Sequence, residues 1–336
     1  VIIAHSAAVF SSQVRAAVEK NIVRLIYLTA AKTLLPVDAR GISIFGFLVP
    51  PVQPAAVRSL VNAAWENLQL ARRQAGLEQQ LERARTEIDQ LNQIGIALST
   101  QRDRESLIKL ILQKSREITH SDAGSLYLAE EPDSGVKCLR FTIAQNDSVQ
   151  FPFEEFTIPI DASSLAGYVA LTGEELHLED AYQIPPSLPF RFNPKFDQDS
   201  GYRTKSILVV PMKNPHGEII GVVQLINCKR NPDLRLERHT VAREVIPFPE
   251  GRRVLLRSLA SQAAVAIENN RLYESVETLF EGFVKASVIA IEARDPATCG
   301  HSLRVADLTV GLAAAVDRDT SPAFRDIRFS RSDMKE

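Results

Sequence analysis

Residues 196–227 read FDQDSGYRTKSILVVPMKNPHGEIIGVVQLIN and contain two apolar runs separated by a turn. The first run, 206–212, is rich in β-branched residues, and the residues that follow, at 214–217, are of types that favour a tight turn. The second run contains Gly221, and a glycine inside a strand marks a place where another backbone comes close. The stretch therefore predicts a β-hairpin in the middle of a sheet.

Composition bounds the class of protein. A chain of 336 residues predicts two or three domains, and 45% apolar with 24% charged residues is typical of a globular protein. The net charge of −2 favours neither nucleic acid nor an anionic membrane as a partner. The apolar runs are shorter than the roughly 18–20 residues that cross a bilayer. Cys138, Cys228 and Cys299 form no CxxC pair or disulfide framework, so we expect a cytoplasmic protein.

The first 52 residues alternate strand and helix patterns. Short apolar runs at 23–28 and 42–49 flank a segment long enough for one helix, as a parallel crossover requires. The pattern resembles the last half of a response-regulator receiver domain. Pro50 stands at the Lys of that family's Lys-Pro pair, and Ala4 and His5 stand where its phosphoacceptor Asp is expected. The resemblance implies a degenerate, truncated receiver fragment over 1–52, and an unrelated α/β fragment is the alternative.

Residues 53–98 carry a narrow apolar stripe with alternating four-three spacing. The stripe positions are Leu70, Gln74, Leu77, Leu81, Ala84, Ile88, Leu91, Gly95 and Leu98, with Gln74 and Gly95 filling the gaps in the register. This spacing predicts the seam of a left-handed coiled coil. We expect a parallel homodimer helix, because an isolated helix has nowhere else to bury such a stripe. A single helix packed on its own domain is the alternative.

Several further elements surround the hairpin. They are helices at 103–119 (N-capped by Asp103), 163–172 (capped by Ser163 or Ser164 and ended by Gly173) and 252–273, and strands at 124–130, 138–144, 156–160 and 176–178. The order of these elements and the amino-acid sequence of the hairpin resemble those of GAF domains, especially the GAF domains of cyclic-nucleotide phosphodiesterases. The resemblance implies an α+β fold over 99–275, with a central antiparallel sheet and the first and last helices on one face. It also implies a small-molecule sensor that does no chemistry.

The family resemblance also implies a ligand pocket. It would lie between the sheet and the short helix, with apolar walls and with backbone NH groups at a helix N-terminus for a phosphate. The matching positions are Ser125, Ala166, Gly167, Thr172, Asp180, Ala181, Tyr182, Thr204 and Gln224. In the plainer interpretation Ser125, Thr204 and Gln224 are ordinary sheet residues, and Tyr182 belongs to the core.

A phosphodiesterase GAF signature, NKFDE, is broken in this chain. The last strand ends in Asn227-Cys228-Lys229, so the Lys is one place late. Phe248 fits the Phe position, but Arg252 and Arg253 stand where the Asp-Glu pair belongs. The family's Lys–Asp salt bridge would become a Lys facing an Arg, which predicts repulsion and weakens the expectation of a bound cyclic nucleotide.

Residues 276–336 look like the start of another domain. The string ARDPATCGHSLRVADLTVGLAAAVD at 293–317 resembles the opening of HD-GYP phosphohydrolase domains. The resemblance implies that the complete protein hydrolyses a cyclic dinucleotide, cyclic di-GMP, at a divalent Fe or Mn centre with His301 as its first ligand. One His cannot hold a catalytic metal, and the family's His-Asp pair would follow the last residue. We therefore expect no cofactor and no enzymatic activity from these residues.

Taken together, the sequence predicts the sensor part of a bacterial signalling protein. Its expected partners are a second copy of the chain and a small ligand, with neither nucleic acid nor membrane. One alternative is a GAF domain that only dimerises. Another is a GAF-type free methionine sulfoxide reductase, although Cys138 and Cys228 each stand alone. A bilin-binding domain is the third, although no Cys lies near Asp180 or Phe196.

Overall fold

The structure is a computed structural model, and it describes residues 1–4, 12–28, 43–132, 135–150, 154–292, 300–319, 321, 323–324 and 327–329. The chain forms two compact units, Val1–Gln93 and Ile94–Glu336, which are described separately. None of the described helices is both long and apolar enough to cross a membrane.

The first unit begins with a small parallel sheet. Strands β1 (Ile2–Ala4), β2 (Leu25–Leu28) and β3 (Ile44–Leu48) lie in that order, and α1 (Ser12–Glu19) connects the first two. Leu25 packs on one side of the sheet and Ile26 on the other, as alternation along a strand requires. The predicted strands and their parallel pairing are confirmed. The predicted helix between β2 and β3 and the His5 position lie outside the described residues.

Helix α2 runs from Pro54 to Thr100, close to the predicted 53–98. Four leucine and isoleucine side chains of the predicted stripe are exposed: Leu70, Leu77, Leu81 and Ile88. The prediction fails at the end of the stripe, because Leu98 is only 1% exposed and lies in the core of the second unit. The part of the stripe that is open to a partner therefore ends before the second unit begins.

The second unit is built on a seven-stranded antiparallel sheet. Its elements are α3 (Arg104–Thr119), β4 (Ser121–Glu130), β5 (Cys138–Asn146), β6 (Phe156–Pro159), α4 (Leu165–Thr172), β7 (Leu176–Leu178), α5 (Lys195–Ser200), β8 (Ile207–Lys213), β9 (Ile219–Lys229), α6 (Val241–Glu244), β10 (Val245–Ile246), α7 (Glu250–Glu292) and α8 (His301–Arg318). The strand order is β6-β5-β4-β9-β8-β7, and β10 also pairs with β9. The predicted α+β class with a central antiparallel sheet is confirmed.

The β8–β9 hairpin forms where the sequence predicts it. Asn214 N donates to Glu218 O at 3.0 Å, and Gly217 takes a positive φ of 83° in the turn. Gly221 lies opposite Met212, and a β-carbon there would collide with the carbonyl oxygen of Tyr127 on β4. The predicted close backbone approach at Gly221 is confirmed.

Helices cover both faces of the sheet. A β-carbon on Gly124 would meet Leu112 of α3, whereas Tyr127, three residues along the same strand, packs in the cluster that contains α4. Since neighbouring strand residues point to opposite faces, α3 and α4 lie on opposite sides. Helix α7 packs against α3 and the sheet, so the first and last helices share one face, as expected. Helix α7 continues to Glu292, and the predicted boundary at 275 lies inside it.

Candidate ligand-binding site

Helix α4 covers the face on which the sequence predicts the pocket. It begins at Leu165 because the Ser164 side chain accepts a hydrogen bond from Gly167 N at 3.0 Å, and it ends at Gly173 with a φ of 69°. The predicted cap and stop are both confirmed. A β-carbon on Gly167 would lie 2.8 Å from the carbonyl oxygens of Asp161 and Pro159. Glycine is therefore needed here for close packing, and its N–H already has a partner in Ser164.

The space between α4 and the sheet is filled by the chain itself. Ala166 and Val169 of α4 pack with Tyr127, Val209 and Val222 of the sheet in one buried cluster. The loop after β7 adds Ala181 and Phe190, which are 2% and 1% exposed, to the same cluster. Two predicted site residues, Ala166 and Ala181, are thus core residues in this arrangement. We call the position of the Phe190 ring between α4 and the sheet the aromatic slot.

A carboxylate that the sequence analysis missed organises three elements at the edge of this face. Asp197 of α5 is 4% exposed. Its Oδ2 accepts from the Tyr182 hydroxyl at 2.9 Å and from Thr204 N at 2.7 Å, and its Oδ1 accepts from the Thr204 hydroxyl at 2.8 Å. Partial burial and the bond to the Asp197 carboxylate raise the pKa of Tyr182. Two predicted site residues from separate parts of the chain therefore meet on one buried acid.

An ion pair extends this arrangement to a third predicted residue. Arg203 Nη2 contacts both carboxylate oxygens of Asp180, at 3.0 and 3.1 Å, and its guanidinium lies 4.0 Å from the centre of the Tyr182 ring. Such a cation over an aromatic face is attractive. Asp180 Oδ1 also accepts from Tyr182 N at 3.0 Å. We call Asp180, Tyr182, Asp197, Arg203 and Thr204 the rim cluster.

The other predicted site residues lie elsewhere. Ser125 and Gln224 pair across β4 and β9, with Ser125 buried and Gln224 half-buried. They share a face with Tyr127, which lies two residues from Ser125. Thr172 is exposed at the end of α4, where its hydroxyl donates to Tyr168 O at 2.9 Å. Thr172 therefore closes its helix and does not join the rim cluster.

The Lys229 ammonium faces two carboxylates and not the expected arginine, and Arg252 Nη1 donates to the backbone oxygen of Lys229 at 3.4 Å. Lys229 Nζ is buried, lies 3.2 Å from Asp122 Oδ1 and 3.3 Å from Asp147 Oδ2, and donates to Leu234 O at 3.0 Å. The prediction was wrong because the partners of Lys229 come from β4 and from the turn after β5. Arg253, by contrast, forms an ion pair at 2.5 Å with Glu175, the residue immediately before β7.

Asp122 is fully buried and makes two further hydrogen bonds. Its Oδ2 accepts from the Tyr202 hydroxyl at 2.7 Å, and its Oδ1 accepts from the Ser148 hydroxyl at 2.8 Å. Asn227 Nδ2 in turn donates to the Tyr202 oxygen at 3.0 Å. The pair of Asp122 and Lys229 is therefore hydrogen-bonded on both sides, which is the condition under which buried charges are tolerated.

A polar cavity of about 610 Å³ opens beside this pair. It is lined by Gln113, Arg116, Glu117, His120, Ser121, Gln145, Asp147, Lys229, Pro232 and Asp233. A second cavity of about 530 Å³ shares Asp147, Lys229, Pro232 and Asp233. Acids and bases are mixed on these walls, and none of the predicted site residues is among them.

Arg252 joins three elements at the end of the sheet. Its Nη2 lies 2.8 Å from His120 Nδ1, and its Nη1 donates to Thr119 O at 3.3 Å and lies 2.9 Å from Cys228 Sγ. Because an arginine only donates, His120 Nδ1 must accept and the ring must be neutral. Burial and then the Arg252 charge lower the pKa of His120, and burial raises the pKa of the Cys228 thiol.

Metal-ligating groups are dispersed in the part of the chain that the structure describes. No group of three or more His, Cys, Asp or Glu side chains is placed to hold a metal ion there. His301 begins α8, and Cys299 lies outside the described residues.

The second unit is thus a sheet with two long helices on one face, a capped short helix on the other and a polar cluster at the rim of the α4 face. The family profile for the GAF domain matches residues 103–267, and this part of the chain is a GAF domain.

Curated relatives include two phosphodiesterases of Drosophila melanogaster. The dual 3′,5′-cyclic-AMP and -GMP phosphodiesterase 11 is 35% identical over 130 residues, which are 36% of this chain and 9% of that protein. The cGMP-specific 3′,5′-cyclic phosphodiesterase is 28% identical over 232 residues, which are 67% of this chain and 18% of that protein. The chain thus spans less than a fifth of the length of these relatives.

Solved structures that resemble the chain include the GAF domain of an Acinetobacter phosphoenolpyruvate-protein phosphotransferase. It has 16% identity, a TM-score of 0.41 and coverage of 56% of this chain and 98% of that one. The GAF domain/HD domain protein from Geobacter sulfurreducens has 20% identity, a TM-score of 0.37 and coverage of 52% and 98%.

Proposed function

We propose that the GAF domain binds a cyclic nucleotide, or a small ligand of similar chemistry, on the face covered by α4, and that binding regulates an output domain. The observation that carries the proposal is the rim cluster, in which Asp197 brings Tyr182 and Thr204 together. The similarity to two cyclic-nucleotide phosphodiesterases supports the choice of ligand class.

The rim cluster has the chemistry that such a ligand needs. Arg203 carries guanidinium donors that match a phosphate in geometry, and its side chain is partly exposed. Tyr182 offers a half-exposed aromatic ring, and Ser125 and Gln224 offer polar groups farther along the sheet. A phosphate would compete with Asp180 for Arg203, so ligand binding would change the ion pair seen here.

The effect of ligand binding would reach the output domain through helices that pair between two copies of the chain. On α7, Leu272, Val276, Leu279 and Phe283 repeat at four-three spacing and are each at least 59% exposed. On α2, the leucine and isoleucine positions from Leu70 to Ile88 are exposed in the same spacing. We propose that each stripe packs against the same stripe of a second copy in a parallel homodimer. Ligand would act by its differential affinity for two arrangements of these helices.

The proposed output is an HD-GYP-type phosphodiesterase for cyclic di-GMP. The support is the sequence at 293–317, of which the structure describes 300–317. His301 would be its first ligand for a divalent iron or manganese ion, and other ligands would come from the complete domain. In this proposal the residues of this chain sense without turnover, and the protein acts in the cytoplasm, where cyclic dinucleotides are made.

Mass spectrometry of the purified, denatured chain tests the ligand directly. A released nucleotide, with titration calorimetry showing rebinding of cGMP or cAMP at one site per chain, is the expected result. A GAF domain that only dimerises is the second candidate, and the filled aromatic slot favours it. That alternative predicts a dimer with no released molecule and no heat of binding.

A further inference from the structure

Phe190 lies in the buried cluster that joins α4 to the sheet, on the face where we propose the ligand site. Its ring centre is 4.8 Å from that of Tyr168 on α4, in a tilted arrangement that favours aromatic rings. Ala170 of α4 and Val209 of the sheet belong to the same buried cluster. The aromatic slot is thus bounded by a helix, a sheet and an aromatic side chain, and its present occupant belongs to the chain.

The segment that carries Phe190 is held together by hydrogen bonds among its own residues. Arg191 donates to three carbonyl oxygens of that segment: Pro186 O at 2.9 Å, Phe190 O at 2.8 Å and Leu188 O. Leu188 N also donates to Pro185 O within it, at 3.1 Å. These bonds would survive if residues 184–192 moved away from α4 as one body.

The attachment of the segment to the rest of the domain is mostly apolar. Ile184, Leu188 and Phe192 are partly buried against the cluster that holds Phe190, and Arg191 N donates to Ser163 O at 3.2 Å. Pro185, Pro186 and Pro189 have no N–H with which to pair to a neighbouring strand. Moving the segment would therefore exchange apolar contacts and would leave the sheet's hydrogen bonds intact.

From this geometry we infer that Phe190 is an internal competitor for the ligand site, and that ligand binding displaces residues 184–192. This inference rests on the proposed function and adds a mechanism by which ligand binding is regulated. An incoming planar ring, such as a purine, takes the place of the Phe190 ring against Tyr168. The segment leads into α5, which carries Asp197, and its Phe192 ring centre lies 5.2 Å from that of Tyr182, so its displacement reaches the rim cluster directly.

The competition has a measurable consequence. A ligand that binds only the open form has its apparent affinity reduced by the fraction of molecules that are open. Shortening the Phe190 side chain weakens the closed form and leaves the rim cluster in place. Phe190→Leu and Phe190→Ala should therefore bind ligand at least about tenfold more tightly than the unmodified chain.

The experiment measures the dissociation constants of cGMP, cAMP and indole by titration calorimetry for the unmodified chain, both Phe190 variants and Phe248→Leu. Phe248 is buried to a similar extent but lies against His177 and outside the buried cluster that contains Phe190, so this variant controls for loss of a core aromatic ring. Circular dichroism confirms that each variant is folded, and Phe190→Leu keeps most of the apolar volume if Phe190→Ala does not fold. Hydrogen exchange of residues 184–194 is followed in the unmodified chain with and without cGMP.

Tighter binding by the Phe190 variants alone, with faster exchange of 184–194 when ligand is bound, supports the inference. Equal affinity of the unmodified chain and the Phe190 variants overturns it and leaves the proposed function standing. If none of the probes binds any variant at millimolar concentration, both the inference and the proposed nucleotide site fail.

Discussion

Lys229 Nζ lies 3.2 Å from the Asp122 carboxylate, and both side chains are almost completely removed from solvent. The two residues come from the end of β9 and the start of β4, which are neighbours in the centre of the sheet. The pair therefore joins the strand after α3 to the strand that leads toward α7, the two helices on the same face.

Breaking the pair of Asp122 and Lys229 should greatly lower the stability of the domain. Asp122→Asn would leave the buried Lys229 ammonium with the Leu234 carbonyl oxygen and the half-exposed Asp147 carboxylate as its partners, and we expect a loss of about 3–5 kcal/mol in the free energy of unfolding. The measurement is urea denaturation followed by circular dichroism. Asp147→Asn is the matched control, since that carboxylate is 45% exposed, and its loss should be about 1 kcal/mol or less. Equal losses in the two variants would show that the buried pair has no special role.

Asp197 should be required for both the shape of the rim cluster and ligand binding. In Asp197→Ala, Thr204 N loses its acceptor in a buried place, so we expect about 2–3 kcal/mol lower stability and weaker binding of cGMP. Asp199→Ala is the control, because Asp199 lies exposed on the same short helix. If Asp197→Ala binds cGMP as the unmodified chain does, the rim cluster is not part of the ligand site.

The exposed stripe on α2 predicts dimerisation. Leu77→Lys with Leu81→Lys places two charges in the proposed seam and should convert a dimer to a monomer at micromolar concentration, as measured by light scattering. Gln79→Lys with Thr86→Lys adds the same charge on the side of α2 away from the seam and should leave the dimer intact. A monomer in the unmodified chain would contradict the transmission proposal.

Two histidines predict that stability falls on mild acidification. His120 must accept from Arg252, and His177 Nε2 accepts from Phe248 N at 3.1 Å, so protonation breaks both bonds. Burial is the main cause that lowers the pKa of each in the folded chain. The unfolded chain then binds more protons, and the free energy of unfolding decreases as pH falls through about 6.5, the ordinary histidine pKa.

The measurement is urea denaturation at intervals between pH 7.5 and 5.5. His120→Gln with His177→Gln should flatten the dependence over this range, and His239→Gln, at an exposed position, should not. An unchanged slope in the double variant would exclude these two residues as its source.

Local signals predicted most of the fold. The caps Asp103 and Ser164, the stop at Gly173 and the β8–β9 turn depend on residues close in sequence, and all four are found in the structure. The partner of Lys229 could not be predicted in this way. Asn227, with a φ of 58°, interrupts the extended backbone just before it, so alternation no longer tells where Lys229 points.

The candidate site was predicted only in part, because some of its contacts join segments that are distant in sequence. The sequence singled out Asp180, Tyr182 and Thr204, but the acid that joins them, Asp197, lies in a six-residue helix without a strong pattern. Phe190 lies in a proline-rich loop, where a sequence gives no indication that an aromatic side chain enters the core. In both cases the residue makes a contact with a distant segment, and the short segment that carries it has no hydrophobic repeat from which that contact could be predicted.

Amide hydrogen exchange of the whole chain, with and without saturating cGMP, shows whether ligand binds at the rim cluster and on the face covered by α4. We expect protection at 180–183 and 197–205 and faster exchange at 184–194, with no change at the polar cavity beside Lys229. Protection confined to residues around that cavity, or no change anywhere in the domain, would show that ligand does not bind at the rim cluster.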